Sequence, residues 1–415
     1  MNVRPGLTTR ADRRDMGMHL VAIGDVGVSG DVVHIGDEAM FEALRDEVSA
    51  RGVRSILAIS SAPAETARRY GVDAIDRIGF TGDRAAMAAR LAAVAACLEG
   101  DSALAEDDPA WRVISAVRDA DAVAIAGGGN MASNWPLHIY ERAALALIAR
   151  RYGRPLVVSG QTLGPALTAP DREVLAPLLH SAALVGVRER ASEALAASLG
   201  VETARLSAHT DDASFLGFDD RPVTPEPAGS LVVSLSTHLG GLPRAETVAG
   251  LARALDGLAA ASGLSVVFHP HFGSLDPDVL VGDQVLHDEV RAAMRTPSRA
   301  VPPGDARSSA ALARSAGMLV TSRYHPTVFA TPAGVPVAAL VADDYTGVKL
   351  RGATGWWDQH GTMPLAHAAG AGGAASLIEV WESAPRVAER TAELLPSARA
   401  AHAEWWDRVV TVFRG

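Results

Sequence analysis

The sequence predicts an α/β protein of two Rossmann-like domains, each with a parallel sheet, facing each other across a cleft and followed by C-terminal helices. Three observations carry this reading. Short β-branched runs alternate with Ala/Leu-rich segments of helical period, the pattern of βαβ units around a parallel sheet. The alternation stops at FDDRPVTPEPAGS (218–230), which has three prolines and no apolar period, and then restarts. At 415 residues the chain also exceeds what one core usually fills.

Taken in order, residues 1–17 form a tail with scattered arginines and no periodicity. Its Arg13-Arg14 pair precedes an apolar segment that ends at Asp25, so an export signal lacks its hydrophobic core. The first domain (18–222) has strands expected at 19–26, 53–60, 121–127, 155–160 and 183–189. Between them DEAMFEALRDEVSARG and LHIYERAALALIARRYG read as helices, each stopped by a glycine. The second domain (228–365) has strands expected at 231–236, 264–272, 318–322 and 335–340. The last stretch (375–415) reads as helices, including an amphipathic WWDRVVTVF, expected to cross back and brace the first domain.

Composition narrows the functional class. Apolar residues make up 48% and charged ones 21%, as in a soluble globular protein. A net charge of −10 without basic clusters argues against a nucleic-acid partner. No stretch approaches the ~20 apolar residues of a membrane span. The single cysteine, Cys97, excludes an internal disulfide and a cysteine-based metal site. A cytoplasmic protein is expected.

The strand ends carry the candidate chemistry. GDVGVSGDVVHIGDEAM supplies turn-forming glycines, and Gly36-Asp37-Glu38 opens a helix whose amides face an oxyanion or whose acids simply complement the dipole. The spacing is not the dinucleotide fingerprint, so no nucleotide cofactor is expected. In AGGGNMASN, Gly128, Gly129 and Asn130 let a ligand approach the backbone closely. Gln161 in SGQTLGP is placed to bond a hydroxyl, and Arg188 in VGVRER stands at a strand's end. In HTDDASF, Asp211 or Asp212 is a base or a cap. SRYHP brings Ser322, Arg323 and His325 to one strand–helix junction. On an extended segment, Arg323 and His325 would share a side. Arginine offers a fork for carboxylate or phosphate, and histidine transfers protons near neutrality. Together they point to an anionic small molecule. His269 and His271, with Asp276 and Asp278 nearby, either hold a metal or other ligand or line a polar cleft; the ligand set is incomplete in sequence and no metal is assigned. Trp356-Trp357 either stack on a sugar or pack in the core.

In order, these motifs resemble the polysaccharide pyruvyl transferase family. His34-Ile35-Gly36-Asp37-Glu38-Ala39 matches its opening pattern, with histidine where asparagine is usual. Gly127 to Gly129, Gly160 to Pro165, Val187 to Ser192 and Arg323 to Pro336 match four more, and Tyr345 with Lys349 a sixth. The similarity spans roughly residues 19–352, with an enlarged glycine loop before His34 as a departure. The resemblance implies a GT-B-like fold and transfer from phosphoenolpyruvate to two hydroxyls of a cell-surface polysaccharide, its lipid-linked precursor or a related glycan, giving a pyruvate ketal. It also implies peripheral contact where the acceptor is lipid-linked. Arg188 and Arg323 then become anion clamps and Lys349 a further binding residue. His325 is the candidate acid, protonating either the methylene carbon or the departing phosphate, and Asp37 or Asp211 takes a hydroxyl proton. Two other classes compete: a GT-B glycosyltransferase using a nucleotide sugar, and a non-catalytic carbohydrate-binding protein on the same fold. The helix at 326–333 lacks the acid many such glycosyltransferases use for the donor, which disfavours the first.

Overall fold

The structure, a computed structural model, describes residues 17–219, 229–276 and 278–415. The expected N-terminal tail and most of the Pro-rich stretch lie outside the described residues. In the first half the strands are β1 (Met18–Ile23), β2 (Val32–His34), β3 (Val53–Ser60), β4 (Asp73–Asp76), β5 (Ala122–Ile125), β6 (Gly128–Met131), β7 (Leu156–Leu163), β8 (Leu184–Val187) and β9 (Leu206–Ala208). In the second they are β10 (Ser230–Ser234), β11 (Ser265–Phe268), β12 (Phe272–Ser274), β13 (Ser298–Ala300), β14 (Met318–Thr321), β15 (Val337–Val341) and β16 (Thr362–Pro364).

Two parallel sheets result. The first runs β4-β3-β1-β5-β7-β8-β9, with β6 paired to β7, and the second runs β13-β11-β10-β14-β15-β16. Central strands such as β5, β8, β10 and β14 are buried along their whole length. That follows from helices covering both faces of a parallel sheet, which turns its strands into continuous apolar runs.

Several expectations need correction. The run 264–272 is two strands, because the chain breaks at His269-Pro270 before β12. The three glycines do not form a loop: Gly128 begins β6. The first long helix starts at Ile35, with His34 as its N-cap and no side-chain capping bond. Its glycine stop lies one residue past the Arg51 cap, where Gly52 has φ +94°.

A third, two-stranded sheet ties the halves together. β2 pairs antiparallel with β12, placing His34 opposite Phe272. The two rings stack at 4.0 Å between centroids. The glycine-rich segment is therefore a β-arm reaching the second half. Behind it Val33, Ile35, Ala39 and Met40 share one buried cluster with Val328, Phe329 and Val335. Arg307 adds ion pairs to Glu42, at 2.8 Å, and to Asp46.

The long helix Ala384–Arg414 docks on the first half. Trp405, Trp406, Val409 and Phe413 are buried with Leu20, Ala22, Phe41 and Val157. The Trp405 indole N–H donates to Ser159 Oγ at 2.9 Å, and the ring lies so close to Gly186 that a Cβ there would sit 2.5 Å from it.

Trp405→Ala should therefore cost about 3–5 kcal/mol, the usual range for deleting a buried aromatic. Denaturant titration of the whole chain reads this directly. A loss below ~1 kcal/mol would mean that the docked helix contributes little to the fold.

Candidate functional site

The site grows out of the C-terminal ends of both sheets, where open α/β folds bind ligands. Arg188 follows β8 directly and is 1% exposed. Its Nη1 donates to Asp211 Oδ2 at 2.8 Å and its Nε to Thr162 Oγ1 at 2.9 Å. The guanidinium carbon lies 4.2 Å from the centre of the Tyr324 ring, which belongs to the second half. A desolvated cation over an aromatic face is favourable. Trp356, also of the second half, donates its indole N–H to the Arg188 carbonyl at 2.9 Å.

The glycine patch meets the second half as well. Tyr345 donates its hydroxyl to Gly129 O. A Cβ on Gly129 would lie 2.8 Å from the Tyr345 hydroxyl, 3.1 Å from Arg188 Nη2 and 3.5 Å from Lys349 Cδ. The absence of a side chain is what lets these three groups gather. Lys349 Nζ stands 3.9 Å from the Tyr345 ring centre. Burial, followed by the charges of Arg188 and Arg323, lowers its ammonium to about 7.

Gly36 has a strict requirement. A Cβ there would fall 1.9 Å from His325 Nδ1, so the helix of the first half and the imidazole of the second touch only because residue 36 is glycine. His325 Nε2 is buried without a hydrogen-bond partner. Burial lowers the imidazole to about 3, with Asp211 opposing and Arg188 and Lys349 reinforcing, so the ring is neutral at rest. The helix begins at Tyr324, so His325 sits in its first turn and not on an extended segment beside Arg323. Arg323 caps that helix and turns to Asp283. Its Nε lies 3.0 and 2.9 Å from the two carboxylate oxygens, and Nη2 bonds Oδ1. Among the described residues Nη1 makes no hydrogen bond, which leaves one edge of the fork for a ligand.

Asp37 faces these cations from the first turn of the Ile35–Ala50 helix, about a third exposed at 31%. Displaced water raises its carboxyl to about 7; Asp25 and Glu38 push the same way, and Arg188 and Lys349 oppose. Its neighbour Glu38 is structural: its carboxylate accepts from Gly27 N at 2.8 Å and from the Tyr70 hydroxyl. Asp211 is buried, with one oxygen on Arg188 and the other accepting from Ala213 N at 2.8 Å. That occupancy suits holding Arg188 better than accepting a proton.

Other candidates stand behind the site. Gln161 is fully buried and ties β7 to the Ala126 carbonyl, so it braces the glycine patch and does not face open space. Asn130 is buried beside Gly128 with an unpartnered Oδ1. Ser322 accepts from Ser236 N at 2.8 Å. His269 uses both ring nitrogens, on Val301 O and Ser309. Asp276 and Asp278 are exposed while both histidines are buried, and among the described residues no cluster of three potential metal ligands occurs. Trp357 is 2% exposed, and Arg190 covers the Trp356 face at 4.9 Å, so the pair packs and does not offer a sugar platform.

Two acids in this region escaped the sequence reading. Asp283 opens a helix directly after its Gly282 N-cap, whereas Gly36-Asp37 lie one residue inside theirs. Asp25 follows β1 and accepts from Arg77, Arg142 and His138. Burial raises its carboxyl, but Arg142, His138 and Arg77 outweigh that and hold it far below the usual range.

Two parallel α/β sheets with apposed C-terminal edges, and a terminal helix returned to the first half, define a GT-B-like fold. Solved structures agree on the fold. The Neisseria meningitidis UDP-GlcNAc 2-epimerase bound to UDP-GlcNAc superposes with TM-score 0.58 at 11% identity, covering 96% of this chain and 100% of that one. The S. aureus MnaA–UDP structure gives 0.58 at 11% identity over 91% of each chain. Anabaena HepE in complex with UDP-glucose gives 0.51 at 15% identity over 96% and 97%. No curated protein matches the sequence significantly. The sequence model of polysaccharide pyruvyl transferase matches residues 34–344, most of the chain. The chain belongs to the polysaccharide pyruvyl transferase family, and that family implies a transferase acting on polysaccharides.

One buried group sets a pH test. Burial raises the Asp212 carboxyl to about 8, against a hydrogen bond from Ser159 at 2.6 Å. In the unfolded chain it ionises near ~4. The native state thus keeps a proton that the unfolded state releases, so stability falls as pH rises from about 4 to about 8. Asp212→Asn should flatten that slope, seen as urea midpoints at pH 5, 7 and 9. Equal slopes in the two proteins would show that Asp212 is ionised when folded.

Proposed function

We propose that this protein transfers the enolpyruvyl group of phosphoenolpyruvate to two hydroxyls of a glycan, forming a pyruvate ketal and releasing phosphate. The observation that carries the reading is the convergence of Arg188 and Lys349 on Asp37, with His325 packed against the neighbouring Gly36 and Arg323 close enough to act on Lys349. A chain of net charge −10 repels anions at long range, so cations brought together at one point have a specific use. Phosphoenolpyruvate needs both a carboxylate and a phosphate held, which suits the free edge of Arg323, the Arg188 guanidinium and the Lys349 ammonium.

The proton states suggest an order of steps. Neutral His325 has no proton to give at the outset, whereas Asp37, raised to about 7, has one. Asp37 therefore protonates the methylene carbon as the double bond's electron pair takes the proton, leaving an oxocarbenium-like centre at C2. The first hydroxyl attacks that centre and passes its proton to His325. Protonated His325 delivers it to the phosphate as the C2–O bond breaks. The second hydroxyl attacks, and its proton returns Asp37 to its starting state. Two hydroxyl protons are thereby accounted for, one in the new methyl group and one on phosphate. Asp211 takes the positioning role, keeping Arg188 in place.

The assay is phosphate release from phosphoenolpyruvate with candidate glycan fragments. Nucleotide release from a UDP-sugar instead would support a glycosyltransferase, and ligand binding with neither release a non-catalytic protein. His325→Ala and Asp37→Asn should each lower turnover by about 10²–10⁴-fold, with donor affinity little changed. Near-normal turnover at saturating donor would remove either residue from the mechanism. Arg323→Lys should weaken donor binding, because an ammonium lacks the planar fork. Finally, kcat/KM for phosphoenolpyruvate should fall as pH rises above about 7, where Asp37 loses the proton it donates and Lys349 its charge. A profile flat from pH 6 to 9 would contradict both assignments.

A further inference from the structure

A large aromatic ring stands exposed beside this site, which is unusual for a side chain that normally packs. Trp135 is 50% exposed. Its side chain lies near the Tyr345 hydroxyl, which bonds Gly129 O. The indole therefore stands next to the point where Gly129, Arg188 and Lys349 meet. Among the described residues, no other ring or cation covers its face.

Its surroundings are polar. Asn134 beside it is exposed, and His138, one helical turn on, lies 3.0 Å from Asp25 Oδ1. Arg77 and the fully buried Arg142 share that same oxygen, and among the described residues no hydrogen bond engages Oδ2. Asp25 is close enough to Asp37 to raise it electrostatically. A continuous row thus runs from the exposed ring through His138 and Asp25 to Asp37. One flat apolar face with ordered carboxylate and imidazole groups beside it matches a pyranose, which presents axial C–H bonds on one face and hydroxyls at its edge. A membrane-inserting surface would instead gather several exposed apolar side chains, and here the indole stands among polar ones.

We infer that Trp135 is the platform for the acceptor's pyranose ring, with Asp25 and His138 taking its hydroxyls and directing two others toward Asp37. This rests on the pyruvyl-transfer reading for its consequence in catalysis, but the binding itself is separable. The first measurement is intrinsic fluorescence of the full chain titrated with methyl gluco-, galacto- and mannopyranosides, without phosphoenolpyruvate. At least one sugar should quench or shift the emission, and the change should vanish in Trp135→Ala and persist in Trp135→Phe as sugar binding by calorimetry. Because no donor is present, the answer stands even where phosphate release fails. In turnover assays Trp135→Ala should raise the acceptor KM about tenfold, leaving donor KM and saturated kcat within about twofold. No response to any of the three sugars, or equal sugar binding by the alanine variant, overturns the inference. So does a Trp135-dependent blue shift on phosphatidylglycerol–phosphatidylcholine vesicles with no sugar response, which would place the ring at a membrane surface.

Discussion

A guanidinium almost without solvent contact sets the relation between the two halves. Taking such a charge out of water costs several kcal/mol unless partners replace the lost hydration. The first half supplies Asp211 and Thr162 to Arg188, but these leave one face of the ion bare. The Tyr324 ring covers that face and Trp356 binds the carbonyl, and both come from the second half. The first half's strand end is therefore complete only when the second half is in place. The apolar cluster of Val33, Ile35 and Met40 with Phe329 and Val335 adds area to a junction whose geometry the ion dictates.

The same exclusion of water tunes the acid–base groups in opposite senses. A carboxyl is raised, an ammonium lowered and an imidazole kept neutral, each in the direction that burial dictates. The result is a site carrying less charge than its composition suggests until an anion enters. On the proposed reading, a polyanionic ligand then meets cations whose alternative partners are few and fixed. Arg323 illustrates this: Asp283 takes two of its nitrogens and orients the third.

The architecture was largely legible because buried parallel strands announce themselves. VRSILAIS was assigned to 53–60 and forms β3 over those residues, since its β-branched run has clear polar ends. Strands β2 and β12 were not legible. Each is three residues long and exists only through pairing with a segment more than two hundred residues away, which no local pattern encodes. Within the site, Arg188, Arg323, His325, Asp37 and the glycines were visible as strand-end residues. Their partners were not. Asp283 and Asp25 matter through whom they face, and a sequence does not print that. The i, i+2 argument for Arg323 and His325 failed because the helix begins one residue after the arginine, so alternation does not apply.

The β2–β12 ribbon has a mechanical consequence. Hydrogen-bonded backbone spans the gap between the halves at one edge, and the returning Ala384–Arg414 helix straps them from behind. A body restrained along two separate lines loses the freedom to swing wide about a single hinge.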